Sequence, residues 1–417
     1  MKFSRRRSYG LVSGCLLGAC LGLTPLVGAD DVTIIIEKPV HPIVPAPPEA
    51  VPQTPPFAGV RPAVDLAILL DTSNSMDGLI DQARSQLWSI VSQFAAAKKA
   101  GQTPHLRVAL FEYGNTSLPA TEGYLRQVVP FTDDLDAVSE ALFALTTNGG
   151  DEYCGQVIDE AITRLDWSQE PNAYRTIFIA GNEPFTQGSV DPAEACKRAI
   201  ENGVIVNTIH CGSYDAGLQG QWNMGARVAE GEYLNIDQDR VVIDIESPHD
   251  HIIIKLNAEL NETYLWYGEE ADMYSANQVA QDSNASSVGQ SIALERAKAK
   301  ASDAYSNVGR DLVDSFGGGF GGRVYADGFA ELEEEALPEA MKDMDADERW
   351  AFVQENAEKR AELQKQIAEA TSKREAFVAE ERKRRSESAG EATLGDAVLQ
   401  AIQKQLAEAG YDIEPTR

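Results

Sequence analysis

The chain has 417 residues, 43% hydrophobic and 24% charged, fractions that exclude wholesale disorder. No apolar run beyond residue 30 reaches the roughly 18 residues a membrane helix needs. With 36 Lys and Arg against 65 Asp and Glu, the net charge is −29. A chain this acidic repels phosphate backbones, which argues against nucleic-acid partners and for cations or basic surfaces.

Residues 1–29 read as an export signal. Lys2, Arg5, Arg6 and Arg7 form a basic start, an apolar stretch runs from Leu11 to Val27, and Val27-Gly28-Ala29 offers small residues for cleavage. The expected location is periplasmic or extracellular. Leu17-Gly18-Ala19 before Cys20 also fits a lipoprotein cleavage box, which would anchor the chain by lipid at Cys20. Residues 30–62 form a tether, because nine of the 19 prolines lie between Pro39 and Pro62. Proline fixes φ and lacks an N–H, so this stretch is expected to be extended. Beyond the signal only Cys154, Cys196 and Cys211 remain, enough for one disulfide with one thiol left over. His210 beside Cys211 makes a poor catalytic pair, because neighbours on a strand point to opposite sides.

Residues 63–245 alternate strands with helices. Val64 to Leu70 is a nearly continuous apolar run, as expected of a strand buried on both faces. Similar runs follow at Arg107–Phe111, Thr176–Ala180 and Gly203–Ile209, with Tyr124–Phe131 as an edge strand and Glu232–Ile236 as the last. Helical stretches fall at about 78–97, 133–145, 155–166, 190–202 and 221–229. The pattern predicts an α/β fold: a doubly wound, mostly parallel sheet with its ligand site at the carboxyl ends of the strands.

Residues 246–322 read as a helical region ending in a glycine-rich hinge, Gly317 to Gly322. Gly317-x-Gly319-x-x-Gly322 matches a dinucleotide fingerprint in spacing, but no strand precedes it. Residues 323–417 are an acidic helical tail. Within it, 345–386 contain no Gly or Pro, and Trp350, Phe352, Val353, Ala357, Leu363, Ile367, Ala370, Phe377 and Val378 form an apolar seam. That seam predicts a long helix, paired with its own domain or, as a coiled coil, with a second copy. A last helix is expected at about Glu391–Ala409. Asp237-Gln238-Asp239 is rejected as a calcium loop, because Val241 and Val242 stand where an oxygen ligand and Gly are needed. His249-Asp250-His251 reads as a helix start.

The motif that carries chemistry follows the first strand: Asp71-Thr72-Ser73-Asn74-Ser75. One carboxylate and two hydroxyls spaced by two, just before a helix, suit a hard cation that wants about six oxygens. Helix capping by Ser75 or Asp77 is the competing use. With this loop in its strand-helix setting, residues 63–245 resemble a von Willebrand factor type A (VWA) domain with its metal-ion-dependent adhesion site. The resemblance implies a six-stranded sheet with one antiparallel edge, a Thr ligand from a second loop, an Asp from a third, and an open position for a partner's carboxylate. Both later loops depart from that pattern. In Asn148-Gly149-Gly150-Asp151-Glu152 the paired glycines match, but Glu152 takes the Thr position with Asp151 beside it. In Gly181-Asn182-Glu183-Pro184 the usual Asp falls on Gly181, leaving Asn182 and Glu183 as the nearest oxygens.

The expected metal set is Asp71, Ser73, Ser75, Glu152, Asp151 and Asn182, holding Mg²⁺, or Mn²⁺ or Ca²⁺, with Glu152 able to fill the partner's position. No nucleophile, base and orienting group assemble into an enzyme's site. The expected function is therefore non-enzymatic protein binding at the cell envelope, with a scaffold acting through the helical tail as the alternative.

Overall fold

The computed structural model describes residues 61–236, 245–317, 328–330, 332–385 and 394–413. The export signal, nearly all of the tether, Asp237–Asp239 and most of the glycine cluster lie outside them.

Eight strands are described: β1 (Ala63–Asp71), β2 (Ala97–Lys98), β3 (His105–Tyr113), β4 (Leu125–Thr132), β5 (Tyr174–Gly181), β6 (Ile205–Cys211), β7 (Tyr233–Ile236) and β8 (Asp412–Ile413). Six of them form one sheet in the order β4-β3-β1-β5-β6-β7. Of these six only β4 runs antiparallel, at the edge against β3, as the family resemblance implies. β1 lies at the centre, in parallel register with β3 and β5 (Leu69 opposite Phe111 and Ile179). Its apolar run is explained by two buried faces. Leu66 and Leu70 enter one core and Ala67 and Leu69 the other, because alternate side chains on a strand point to opposite sides.

Helices α1 (Asp77–Ala96) and α2 (Leu135–Ala144) cover the first face. The second is covered by α3 (Cys154–Arg164), α4 (Pro192–Glu201) and α6 (Trp222–Val228), with the short α5 (Tyr214–Gln219) beyond β6. The helices start at local signals. Asp134 caps α2 through the Ala137 N–H at 3.0 Å, and Asp191 caps α4, which has Pro192 in its first turn.

The helical region is α7 (Asp250–Asn261), α8 (Ala271–Val288), α9 (Gln290–Lys300), α10 (Leu312–Phe316), α11 (Ala346–Arg385) and α12 (Leu394–Glu408). It packs onto the sheet region. α8 and α9 lie on α2 and α1, and buried ion pairs pin them there. Arg296 of α9 meets Asp136 of α2 at 2.7 Å and also binds Asp282 of α8, with its guanidinium 4.5 Å from the Trp88 ring centre. Tyr305 donates to the same Asp136 at 2.6 Å.

The long helix forms as its composition predicts, over 40 residues rich in Ala, Glu, Lys and Arg. Val353, Asn356, Arg360, Leu363, Ile367 and Ala370, spaced three and four apart, are its buried stripe. That stripe faces the protein's own α7, α9 and α10. Arg360 reaches Asp311 and Asp314, each at 2.7 Å, and Arg374 reaches Asp250 at the start of α7 at 2.9 Å. α12 returns to α1 and the β7 edge. Its Val398, Ala401, Ile402 and Leu406 enter the same core as Leu66 and Phe178. Just beyond it, β8 pairs with β2.

The possible disulfide is absent. Cys154, Cys196 and Cys211 are buried free thiols. Cys211 lies on the opposite face of the sheet from the other two, and burial pushes all three thiols up, away from reactivity.

Candidate metal site

The β1–α1 loop leaves the sheet at Asp71. The strand's burial carries over to Asp71, which is fully enclosed, and to Ser73, while Ser75 is exposed. Asp71 Oδ1 accepts the Ser73 N–H at 2.7 Å, turning the loop so that Ser73 and Ser75 hydroxyls lie 3.2 Å apart. The capping reading does not describe this loop, since α1 has no side-chain cap.

The second loop reaches Asp71 because its glycines let backbones touch. A Cβ on Gly150 would stand 2.4 Å from the Gly114 carbonyl oxygen. The Asn148 N–H donates to Thr72 O at 2.9 Å, and the Thr116 N–H to Gly149 O at 3.0 Å. So docked, the loop buries Glu152 against Asp71. Gly114 is the meeting point, at φ +79°, where a Cβ would strike Asp71 Oδ1 at 2.7 Å and Glu152 Cγ at 2.8 Å. Gly114 was not singled out from sequence, and its signal was a glycine directly after the strand Phe111-Glu112-Tyr113.

Asp151 turns away. It is exposed, and its carboxylate accepts the Tyr153 hydroxyl at 3.1 Å. A one-residue step reverses direction here, so of the two adjacent acids only Glu152 faces inward.

The third loop places Asn182 at the site, with Nδ2 donating to Ser75 Oγ at 2.9 Å. Glu183 is exposed, but its charge acts on both Asp71 and Glu152. The space of the missing Asp is filled by Tyr113. A Cβ on Gly181 would meet the Tyr113 hydroxyl at 2.6 Å and Asp71 Oδ2 at 3.2 Å. That buried hydroxyl donates to Ala180 O at 2.9 Å.

Five of the six expected residues therefore converge: Asp71, Ser73, Ser75, Glu152 and Asn182. The electrostatics of this cluster disfavour two bare carboxylates. Burial raises the Glu152 carboxyl far above its usual range, and the adjacent Asp71 raises it further. Burial raises Asp71 as well, against the hydrogen bonds from Glu152 and Ser73. Two enclosed carboxyls in contact must share a proton or a cation. Asp71 Oδ2 and Asn182 Oδ1 are buried with no donor among the described residues. All the donors are oxygens, the set a hard divalent ion prefers, so the residues present fit such an ion. Among the described residues no three His, Cys, Asp or Glu side chains gather as a metal cluster. The set has two carboxylates and is otherwise neutral.

Other acids and bases near the strand ends are committed elsewhere. Glu112, buried, accepts from Thr72 at 3.1 Å and is paired with Arg126. His210 packs against Trp222, with ring centres 5.9 Å apart, and contacts Asn235. It stands apart from the Cys211 thiol on the other face.

Residues 65–220 match the family model for the von Willebrand factor type A domain. No curated protein matches the chain. Solved structures of similar fold include BatB from Bacteroides thetaiotaomicron, with 17% identity over 42% of this chain and 91% of that one and a TM-score of 0.32. The VWA domain of SpRpn10 has 16% identity over 43% and 90%, with a TM-score of 0.33. Proximal thread matrix protein 1 from the mussel byssus, solved with a zinc-occupied MIDAS motif, has 14% identity over 44% of this chain and 43% of that one, with a TM-score of 0.33. Over residues 65–220 the chain is thus similar to a von Willebrand factor type A domain.

Proposed function

We propose that the chain is an exported, non-enzymatic binding protein whose VWA domain presents a divalent-cation-assisted surface to a protein partner. The observation that carries this reading is the convergence of Asp71, Ser73, Ser75, Glu152 and Asn182, with two buried oxygens lacking donors. Mg²⁺ suits an all-oxygen set of this kind, and Mn²⁺ and Ca²⁺ share the preference. Glu152 replaces a neutral hydroxyl with a carboxylate. It strengthens the hold on the ion and takes up the position that the resemblance leaves for a partner's acid.

Residues 1–29 deliver the chain to the envelope, by release or through lipid at Cys20, and residues 30–62 hold the domain off the surface. The helical region after residue 245 acts as a buttress to α1, α2 and the sheet, with which it shares its core.

Calorimetric titration of the full chain with Mg²⁺ and Mn²⁺ tests the site. One ion per chain is expected, with the heat abolished by Asp71→Ala and weakened by Glu152→Thr. No heat in the unmodified chain overturns the metal, and unchanged affinity in Glu152→Thr removes that residue from the shell.

A further inference from the structure

Away from the metal site, a cleft of about 870 Å³ opens where four helices meet. Its walls are the C-terminal half of α1, the end of α9, the second half of α11 and α12. Two polar links tie these walls together. Gln403 of α12 donates to Gln93 of α1 at 3.0 Å, and Lys298 of α9 binds Glu375 of α11 at 2.6 Å. The volume falls within the range of small-molecule sites, roughly 300–1,000 Å³.

The lining restricts what fits. Ala95, Ile367, Ala368 and Leu399 supply aliphatic surface, and no aromatic ring lines the cleft among the described residues. A flat aromatic ligand therefore has nothing to stack on. Ser92 on α1 and Thr371 on α11 also line it. Both are more than nine-tenths buried, and their hydroxyls have no hydrogen-bond partner among the described residues. Buried polar groups are normally paired, and one χ1 rotation turns either hydroxyl towards a ligand.

The charges are lopsided. Glu295, Lys298 and Glu375 line the cleft, two acids to one base. Lys298 is already bonded to Glu375. Half-buried Glu295 acts on that ammonium only through space and has no direct partner among the described residues. An incoming anion finds the one lining cation taken. An incoming ammonium finds a free carboxylate beside aliphatic surface, and its hydrogen bonds there are charge-assisted.

We propose that this cleft binds a small aliphatic amine, with its ammonium on Glu295 and its hydrocarbon chain along Ile367, Ala368 and Leu399. The inference stands apart from the metal site and from the binding-module reading.

The test is calorimetric titration of the full chain at neutral pH with three ligands of equal chain length: n-octylamine, n-octanol and octanoate. The amine should bind one per chain, at least about tenfold tighter than the alcohol, with octanoate weakest. Glu295→Gln should weaken the amine about tenfold and leave the alcohol within about twofold. Ala368 is exposed on α11, so Ala368→Trp adds bulk to the cleft without crowding the core. It should weaken amine and alcohol alike by at least about tenfold. If Glu295→Gln fails to fold, the ligand ranking and Ala368→Trp decide the question. Acetyl-Gly-Lys-Gly-amide separates a free amine from a partner's lysine, and should bind at least about tenfold more weakly than octylamine.

Octanol or octanoate binding as tightly as the amine overturns the proposal. So does an unchanged amine affinity in either folded variant, a lysine peptide that matches the amine, or no heat from octylamine.

Discussion

Gln405 and Asn207 exchange two side-chain hydrogen bonds across 198 residues of sequence. Gln405 Nε2 donates to Asn207 Oδ1 at 2.6 Å, and Asn207 Nδ2 donates to Gln405 Oε1 at 3.2 Å. The Tyr174 hydroxyl donates to the same Gln405 oxygen at 2.6 Å. All three side chains are buried, so α12 is fastened to β5 and β6 by a closed polar network inside an apolar core. Gln405→Leu leaves Asn207 short of partners and the Tyr174 hydroxyl without its acceptor. The expected loss is about 1–3 kcal/mol, read as a lower denaturation midpoint in urea. An unchanged midpoint would show that α12 does not need this network.

Arg296 is the larger risk to stability. It is fully buried and answers Asp136 and Asp282 together. Arg296→Met keeps much of the volume but removes the only cation on Asp136 among the described residues and one of the two on Asp282, leaving the Tyr305 hydroxyl and Lys300. The expected cost is about 3–5 kcal/mol, because removing one partner of a buried pair leaves an uncompensated charge. Adding Asp136→Asn should recover part of that loss, and equilibrium unfolding of the single and double variants measures it.

The same cluster gives the acid response. Burial alone would raise the Asp282 carboxyl, but Lys300, Arg296 and Asn261 outweigh it and hold it down at about 2, against 3.8 in the unfolded chain. Its contribution is therefore complete above pH ~4 and is lost as the pH falls through about 2, some 2 kcal/mol in all. Lys300 runs the other way: fully buried, it is pushed down to about 8 despite Asp282. Its burden on the fold eases as the pH climbs from about 8 towards 10.5. Unfolding free energy measured from pH 2 to 5 checks the acid limb, where Asp282→Asn should flatten the slope.

Gly181 and Tyr113 form a linked pair. Gly181→Asp alone, which restores the residue the family resemblance leads one to expect, drives a Cβ to 2.6 Å from the Tyr113 hydroxyl. It should lower the melting temperature, at a cost of about 1–3 kcal/mol from overpacking. Gly181→Asp with Tyr113→Phe makes room, though the bond to Ala180 O is lost. The double variant should melt above Gly181→Asp alone. Its titration with Mn²⁺ should show tighter binding than the unmodified chain. Equal melting temperatures for the two variants would show that the hydroxyl is not the obstacle.

Local patterns carried the sheet region. The apolar runs at Val64–Leu70 and Thr176–Ala180 lie in strands because both sheet faces are covered, and the helical stripes between them are short-range signals. Asp71, Ser73 and Ser75 were legible for the same reason, being one loop at one strand end. Glu152 was found by counting along a loop. Gly114 and Tyr113 were not found, because their importance lies in what they touch across the sheet. The long helix was legible but its partners were not. Asn356 and Arg360 belong to its buried stripe although they are polar, since Thr263, Asp311 and Asp314 satisfy Arg360 from elsewhere. Gln405 likewise reads as a solvated helix residue until Asn207 and Tyr174 are brought beside it.

The return of α12 onto the sheet also sets the order of events when the protein is made. A chain threaded out residue by residue has every strand of the large sheet available once Ile236 has emerged. The part of its first face that α12 covers, between α1 and β7, nevertheless stays open until residue 408 follows, more than 170 positions later. Completion of the domain thus waits for residue 408, and any helper that guards the nascent polypeptide has that open patch to shield in the interval.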